Sequence, residues 1–181
     1  MNSKLKIAQT AFELFINNGY KASTMSELVK QSGLSKGAFY HYFKSKQDVY
    51  DYVLEHYFLK YYQEVNWQDF AELNYKSFEA VLNSYYSEFL TEIRELSKNN
   101  FSNYFILFFE AYKNNAEFKK TIRDFYKRLE NIIITKLLSE QIAKTKAEKM
   151  AIKLIAKYEG FLFYLAIFPE KSEQIKILED F

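Results

Sequence analysis

The residues best suited to chemistry with another molecule lie in one short run. Lys36, Gly37, Tyr40, His41 and Lys44 are spaced i, i+1, i+4, i+5 and i+8, so on a helix they share one face. That face is basic and aromatic and contains no acid. Lys and Tyr side chains so placed meet phosphates and base edges in a major groove, and a helix N-terminus adds backbone amides. Gly37 has no side chain, so its backbone could come close to a base pair. Phe39 and Phe43, four apart, point the other way as core anchors, with Leu34 at the turn.

Three helices must position this face. The first is predicted from near Ser3 to Gly19, with Leu5, Ala8, Phe12 and Phe15 at helical spacing and Asn17-Asn18-Gly19 as its stop. Thr24-Met25-Ser26-Glu27 is a capping-box pattern that opens a second helix burying Met25, Leu28 and Val29 and ending at Gly33. Ser35 caps the third helix, Lys36 to Phe43, and Ser45 caps a fourth, with Asp48 in its first turn. Two short helices joined by a tight turn containing glycine make a helix-turn-helix.

Composition narrows the class. The 181 residues include 18 Phe and 16 Tyr but only 4 Gly and 1 Pro, which favours long helices over a turn-rich sheet protein. There is no Cys, and His41 and His56 are the two histidines, so disulfides, thiolate nucleophiles and cysteine metal sites are excluded and a His-rich metal site is not expected. Gly-rich phosphate loops, nucleophile elbows and paired-His motifs are missing as well. The expectation is therefore no catalytic residue, no metal, no cofactor and no enzyme. Residues 1–46 hold seven Lys and two acids, while the remainder is net acidic within a total of +2. A basic end joined to an acidic body suggests an anionic partner for that end. The sequence starts MNSKLKIAQT, with no apolar core of signal-peptide length, and no 18-residue stretch lacks charge, so the expected location is cytoplasmic, without a membrane span.

The run Ala11-Phe12-Glu13-Leu14-Phe15, Gly19-Tyr20, Ser23-Thr24, Glu27-Leu28-Val29 and Ser32 to Phe43, with Lys44 and Lys46 after it, resembles the N-terminal signature of the TetR (tetracycline-repressor-like) family of bacterial regulators. The resemblance covers about the first quarter of the chain. It implies an all-α protein with a helix-turn-helix DNA-binding domain in residues 1–46 and a helical ligand-binding and dimerisation domain in residues 47–181. By position, Lys36 and Gly37 resemble base-contacting residues, and Thr24, Ser35, Tyr40, His41 and Lys46 resemble phosphate-contacting ones; Lys44 completes the DNA-facing set. The chain has His41-Tyr42 where the family commonly has Tyr-His.

Behind residue 46 the expected elements are an unbroken fourth helix to about Val65 with Val49, Val53 and His56 on its inner stripe; a break holding Trp67 and Phe70; helices over Tyr75–Leu96, Phe101–Tyr112, Phe118–Leu138 and Lys146–Phe168; and a short last helix after Pro169. The run Phe101–Tyr112 is apolar almost all round, which predicts burial on every side. The resemblance implies a homodimer paired through Met150–Phe168, with Ile155, Tyr158, Gly160, Leu162 and Leu165 as interface candidates. It also implies a pocket among the central helices, for which the aromatic pattern offers His56, Trp67, Tyr85, Tyr86, Phe89, Phe105, Phe108, Phe109, Tyr112 and Tyr126. So much aromatic surface suits a flat or lipophilic effector, and Glu88, Glu92 or Glu110 could anchor a cation beside it. The expected function is a ligand-responsive repressor that binds double-stranded operator DNA. The alternative is a helical interaction protein of the same fold that no longer binds a specific operator.

Overall fold

The computed structural model describes residues 3–97 and 101–171. Every regular element among them is helical: α1 (Ser3–Asn18), α2 (Met25–Ser32), α3 (Lys36–Tyr42), α4 (Lys46–Val53), a π-helical turn (Leu54–Phe58), α5 (Lys60–Gln63), α6 (Trp67–Ala71), α7 (Tyr75–Ser97), α8 (Phe101–Asn114), α9 (Ala116–Ser139) and α10 (Lys144–Ile167).

The first three helices form where the caps predict. Gly19 ends α1 at φ 82° and Gly33 ends α2 at φ 68°, the left-handed conformation that costs glycine least. Glu27 N donates to Thr24 Oγ1 at 3.2 Å and Thr24 N to Glu27 Oε2 at 2.8 Å, which closes the capping box. Ser35 Oγ accepts from Ala38 N at 3.2 Å at the start of α3. Phe39 and Phe43 are buried, whereas only Leu28 of the expected trio on α2 is fully buried. An eight-residue helix lying against α1 buries one line of side chains, and Met25 and Val29 flank it half-exposed.

The expected unbroken helix from Lys46 is interrupted. At the π-helical turn, Leu59 N donates to Leu54 O, five residues back, at 2.9 Å, and the helical run stops at Gln63. One extra residue in a turn rotates the next stretch of helix by about 100°. The inner stripe therefore continues through Leu54 and Phe58, and His56 is displaced from it. Its ring instead stacks on Tyr52 at 3.8 Å. The expected break at Trp67 and Phe70 is the short helix α6, capped by Asn66. Lys136 Nζ donates to the carbonyls of Ala71 and Leu73, at 3.4 and 2.6 Å, just beyond that helix.

Helices α7 to α10 pack into a bundle. Phe118, Ile122, Phe125, Leu129, Ile133 and Leu137 form one stripe on α9, and Ala147, Ala151, Leu154, Tyr158, Leu162 and Leu165 form the facing stripe on α10. The expectation that α8 is buried on every side is wrong: Phe101, Tyr104, Leu107 and Ala111 are buried, but Ile106 and Phe109 are exposed. α8 also packs against α1 and α4. Asn103 Nδ2 donates to Asn17 O at 3.3 Å, and Tyr50 Oη donates to Leu107 O at 3.3 Å, so one core runs across residue 46. The short helix expected after Pro169 lies beyond residue 171, outside the described residues, except for one 3₁₀ turn at its start. No helix among the described residues is long and apolar enough to cross a membrane.

Candidate nucleic-acid interface and ligand cavity

The first site is the outward face of α3. Lys36, Gly37, His41 and Lys44 are exposed and Tyr40 is half-exposed, while Phe39 on the reverse is fully buried against the α1 core. Thr24 and Ser35 are exposed caps beside this face. A Cβ built on Gly37 would meet nothing within 4 Å, and Gly37 is not among the positive-φ glycines. Nothing inside the chain therefore asks for glycine there, although glycine costs a helix about 1 kcal/mol relative to alanine. Lys44 Nζ donates to Tyr40 O at 2.5 Å, so its ammonium bends back along the helix.

Lys46 departs from the expected set. Its Nζ donates to the carbonyls of Tyr20 and Ser23 at 3.0 and 2.9 Å and lies 4.3 Å from the centre of the Tyr20 ring. The side chain fastens the loop between α1 and α2 to the start of α4. Two of its three donors are spent inside the fold, so the side chain has a structural role beside the expected phosphate contact.

The second site is a cavity of about 610 Å³ between α5, α8, α9 and α10. Of the expected pocket residues, Phe105, Phe108, Phe109, Tyr112 and Tyr126 line it. Tyr85, Tyr86 and Phe89 surround a small void beside it that shares Tyr62, Tyr126, Glu159 and Leu162 with the main cavity. Trp67 packs on Phe125 at 5.3 Å under the Arg128 guanidinium and is not a lining residue. His56 is not one either, because the π-helical turn rotates it away from the inner stripe.

Glu159 is the group that sequence reasoning missed. Its Oε1 accepts hydrogen bonds from Tyr86 Oη at 2.8 Å and Tyr126 Oη at 2.7 Å. Burial pushes its carboxyl above the usual range, against the two hydroxyls, which act to lower it. The signal was present: Glu159 is the lone charge between Lys157 and Glu170 in a strongly apolar run. The acids expected to anchor a cation are occupied or outside: Glu92 pairs with Lys60 at 2.9 Å, Glu110 pairs with Lys21 at 3.3 Å, and Glu88 is exposed.

The interface candidates on α10 divide by face. Tyr158, Leu162 and Leu165 are buried within the chain, and Ile155 lines the cavity. Tyr158 donates to Asn83 Oδ1 on α7. Of the five, only Gly160 is exposed, on a stripe with Ile152, Ala156, Phe163 and Ile167, of which Ile152 and Ala156 also line the cavity. The buried residues face the bundle, so a partner would meet the exposed stripe, next to the cavity.

A ring ladder joins the cavity to α1. Phe12 of α1 meets Phe58 of the π-helical turn edge-on at 5.5 Å, and Phe58 stacks on Tyr104 of the cavity wall at 5.1 Å with 11° between planes.

Residues 7–53 match the family described as bacterial regulatory proteins, tetR family. Over 69 residues the chain is 44% identical to the HTH-type transcriptional regulator QacR of Staphylococcus aureus, a match covering 38% of this chain and 34% of that protein. It is 40% identical over 45 residues to the fatty acid metabolism regulator protein of Bacillus subtilis, covering 25% of this chain and 23% of that one. The chain thus spans about a third or less of these relatives. Along its full length it shares a fold with a TetR transcriptional regulator from Chloroflexus aurantiacus, at TM-score 0.65 and 16% identity, covering 97% of this chain and 89% of that one. A transcriptional regulator from a Rhodococcus species superposes at TM-score 0.62 and 19% identity, covering 98% and 94%. Residues 7–53 thus carry the signature of the tetR family of bacterial regulatory proteins, and the helices behind them share the fold of these solved regulators.

Proposed function

We propose that the protein is a cytoplasmic, homodimeric transcriptional repressor that binds double-stranded operator DNA through α3 and is released by a small aromatic or lipophilic effector in the cavity. The observation that carries this reading is the exposed, acid-free face of α3, with a glycine at Gly37 that no internal contact requires. Lys36 and Gly37 face base edges, while Thr24, Ser35, Tyr40, His41 and Lys44 hold phosphates. The apolar stripe Ile152, Ala156, Gly160, Phe163 and Ile167 is the dimer face, because contiguous exposed apolar surface of this kind marks a partner. Two recognition helices then enter successive major grooves about 34–36 Å apart.

An effector acts by favouring the dimer geometry in which that spacing is wrong. Its contact with Tyr104 and Phe108 reaches the first domain by two routes: the ring ladder through Phe58, and α8 itself, which also holds Asn17. The test is selection of bound sequences from random duplex DNA, then affinity measurements at several salt concentrations. The expected result is a two-fold symmetric site and a logarithmic affinity that falls steeply and linearly with the logarithm of salt. Recovery of no preferred sequence would favour an interaction protein that has lost its operator.

A further inference from the structure

We propose that the effector is a flat apolar molecule bearing one positive charge, seated with its charge against Glu159 and its body among the Phe and Tyr rings of α8 and α9. This inference rests on the reading of the cavity as an effector site and names the chemical class it takes.

Glu159 sits on the α10 wall, turned toward the cavity. Both tyrosine hydroxyls bound to it converge on one oxygen, Oε1. Among the described residues no cation lies within ion-pairing distance of it. A carboxylate moved out of water is costly unless it gains an opposite charge, and two hydroxyls offset that cost only in part. A ligand cation beside Oε2 supplies the missing charge. Ring faces strengthen the fit, because a cation desolvated over an aromatic ring is attracted by its quadrupole. Phe108 and Tyr112 lie nearly parallel, 16° apart, along the α8 wall, a shape suited to a flat body.

The other charges favour the same class. Arg123 and Lys127 of α9 also line the cavity but are exposed to solvent, with half-buried Glu130 beside them. Exposed charges are screened and attract an anion weakly, whereas an anion driven inward would meet Glu159. Tyr62 and Tyr104 face the cavity with phenols that burial pushes up, so they stay neutral near neutral pH and do not compete for the cation.

Binding is then linked to a proton. Burial raises the Glu159 carboxyl in the empty protein, and a bound cation favours the ionised form. Affinity for a permanent cation should rise with pH through the Glu159 titration and then level off.

The experiment compares three fluorescent probes of equal ring size: (anthracen-9-ylmethyl)trimethylammonium, 9-anthracenemethanol and 9-anthracenecarboxylate. Each is titrated into the full-length protein between about pH 5 and pH 8. The ammonium should bind at least tenfold tighter than the other two near neutral pH. Glu159→Gln should remove that advantage, leave the alcohol within about twofold, and flatten the pH profile. Tyr126→Phe, which deletes one hydroxyl from the carboxylate, should move the profile to higher pH, a shift that an apolar packing role would not produce; it also serves if Glu159→Gln folds poorly. Equal or tighter binding of the alcohol or the carboxylate overturns the inference while leaving a lipophilic effector in place, and so does an ammonium preference that survives Glu159→Gln. Ammonium binding that depends on Glu159 but leaves DNA affinity unchanged upholds the inference and removes the release mechanism instead.

Discussion

Lys36 and Lys46 carry the same side chain in opposite surroundings. Lys36 is exposed on the first turn of α3, whereas Lys46 is tied to the Tyr20 and Ser23 carbonyls. Lys36→Ala should relax preference at one base pair, costing about 1–3 kcal/mol on the preferred sequence and little elsewhere. Lys46→Ala should instead lower the melting midpoint by the equivalent of about 1 kcal/mol and speed amide exchange around Tyr20–Ser23, weakening all DNA sequences alike. Competition binding and hydrogen exchange on the two variants separate these outcomes; an unchanged melting midpoint for Lys46→Ala would return that residue to the phosphate-contact role. Caps make a pH prediction at the same scale. Glu27 is held below the usual carboxylate range by the Thr24 hydroxyl and amide, and Asp48 by the Ser45 hydroxyl and the Lys44 and Ser45 amides. A depressed carboxyl stabilises the fold above its unfolded pKa, and that contribution is lost as pH falls through the lowered folded values. Acid titration monitored by nuclear magnetic resonance should therefore release the first turns of α2 and α4 together with protonation of these two groups.

The two faces of α10 should fail in different ways. Leu162 is 5% exposed and Phe163 is 59% exposed, one residue apart. Leu162→Ala should cost about 2–5 kcal/mol of folding stability by leaving a cavity in the bundle. Phe163→Glu should leave folding nearly intact, convert the dimer to monomer in sedimentation, and weaken operator binding in step. Dimers that survive Phe163→Glu would place the interface elsewhere. α8 has the same double character: Leu107 and Ala111 are buried and Asn103 holds α1, while Phe105 and Phe109 line the cavity. An element that touches both the cavity and α1 can transmit a shift because packed helices move as rigid bodies.

Coupling belongs to the whole molecule. If effector and operator favour different dimer geometries, each must weaken the other by the same factor, typically about 5–150-fold. Effector affinity measured with and without saturating operator should show that ratio, and an effector indifferent to DNA would not be working through this route. Phe58 is fully buried between Phe12 and Tyr104. Phe58→Leu should cost about 1–2 kcal/mol of stability. It should leave each ligand's separate affinity nearly unchanged but reduce the coupling by about 0.5–2 kcal/mol. Equal coupling in the variant would assign transmission to α8 alone.

Residues 3–46 were legible because their signals are local. A cap reads three residues ahead, a glycine stop reads its own φ, and Phe39 and Phe43 declare the inner face of α3 by spacing alone; Thr24, Gly33 and Ser35 all sit where the pattern puts them. The helices α7 to α10 were legible for the same reason, to within a few residues. What they face was not. In Met150–Phe168 both faces of the helix are apolar, so periodicity could not tell Leu162, packed inside the chain, from Phe163, left outside. The π-helical turn is one inserted residue with no composition of its own, yet it moved His56 off the inner stripe. Lys46 has an ordinary cation's spacing, and its partners are loop carbonyls 23 and 26 residues away in the chain. Glu159 gathers Tyr86 and Tyr126 from 73 and 33 residues away. Local backbone preferences depend on neighbours along the chain, so the sequence determined the helices and the signature in residues 7–53. Burial, pairing and cavities depend on neighbours across the fold, so only the tertiary structure decided which side of α10 is outside and which carboxylate the cavity holds.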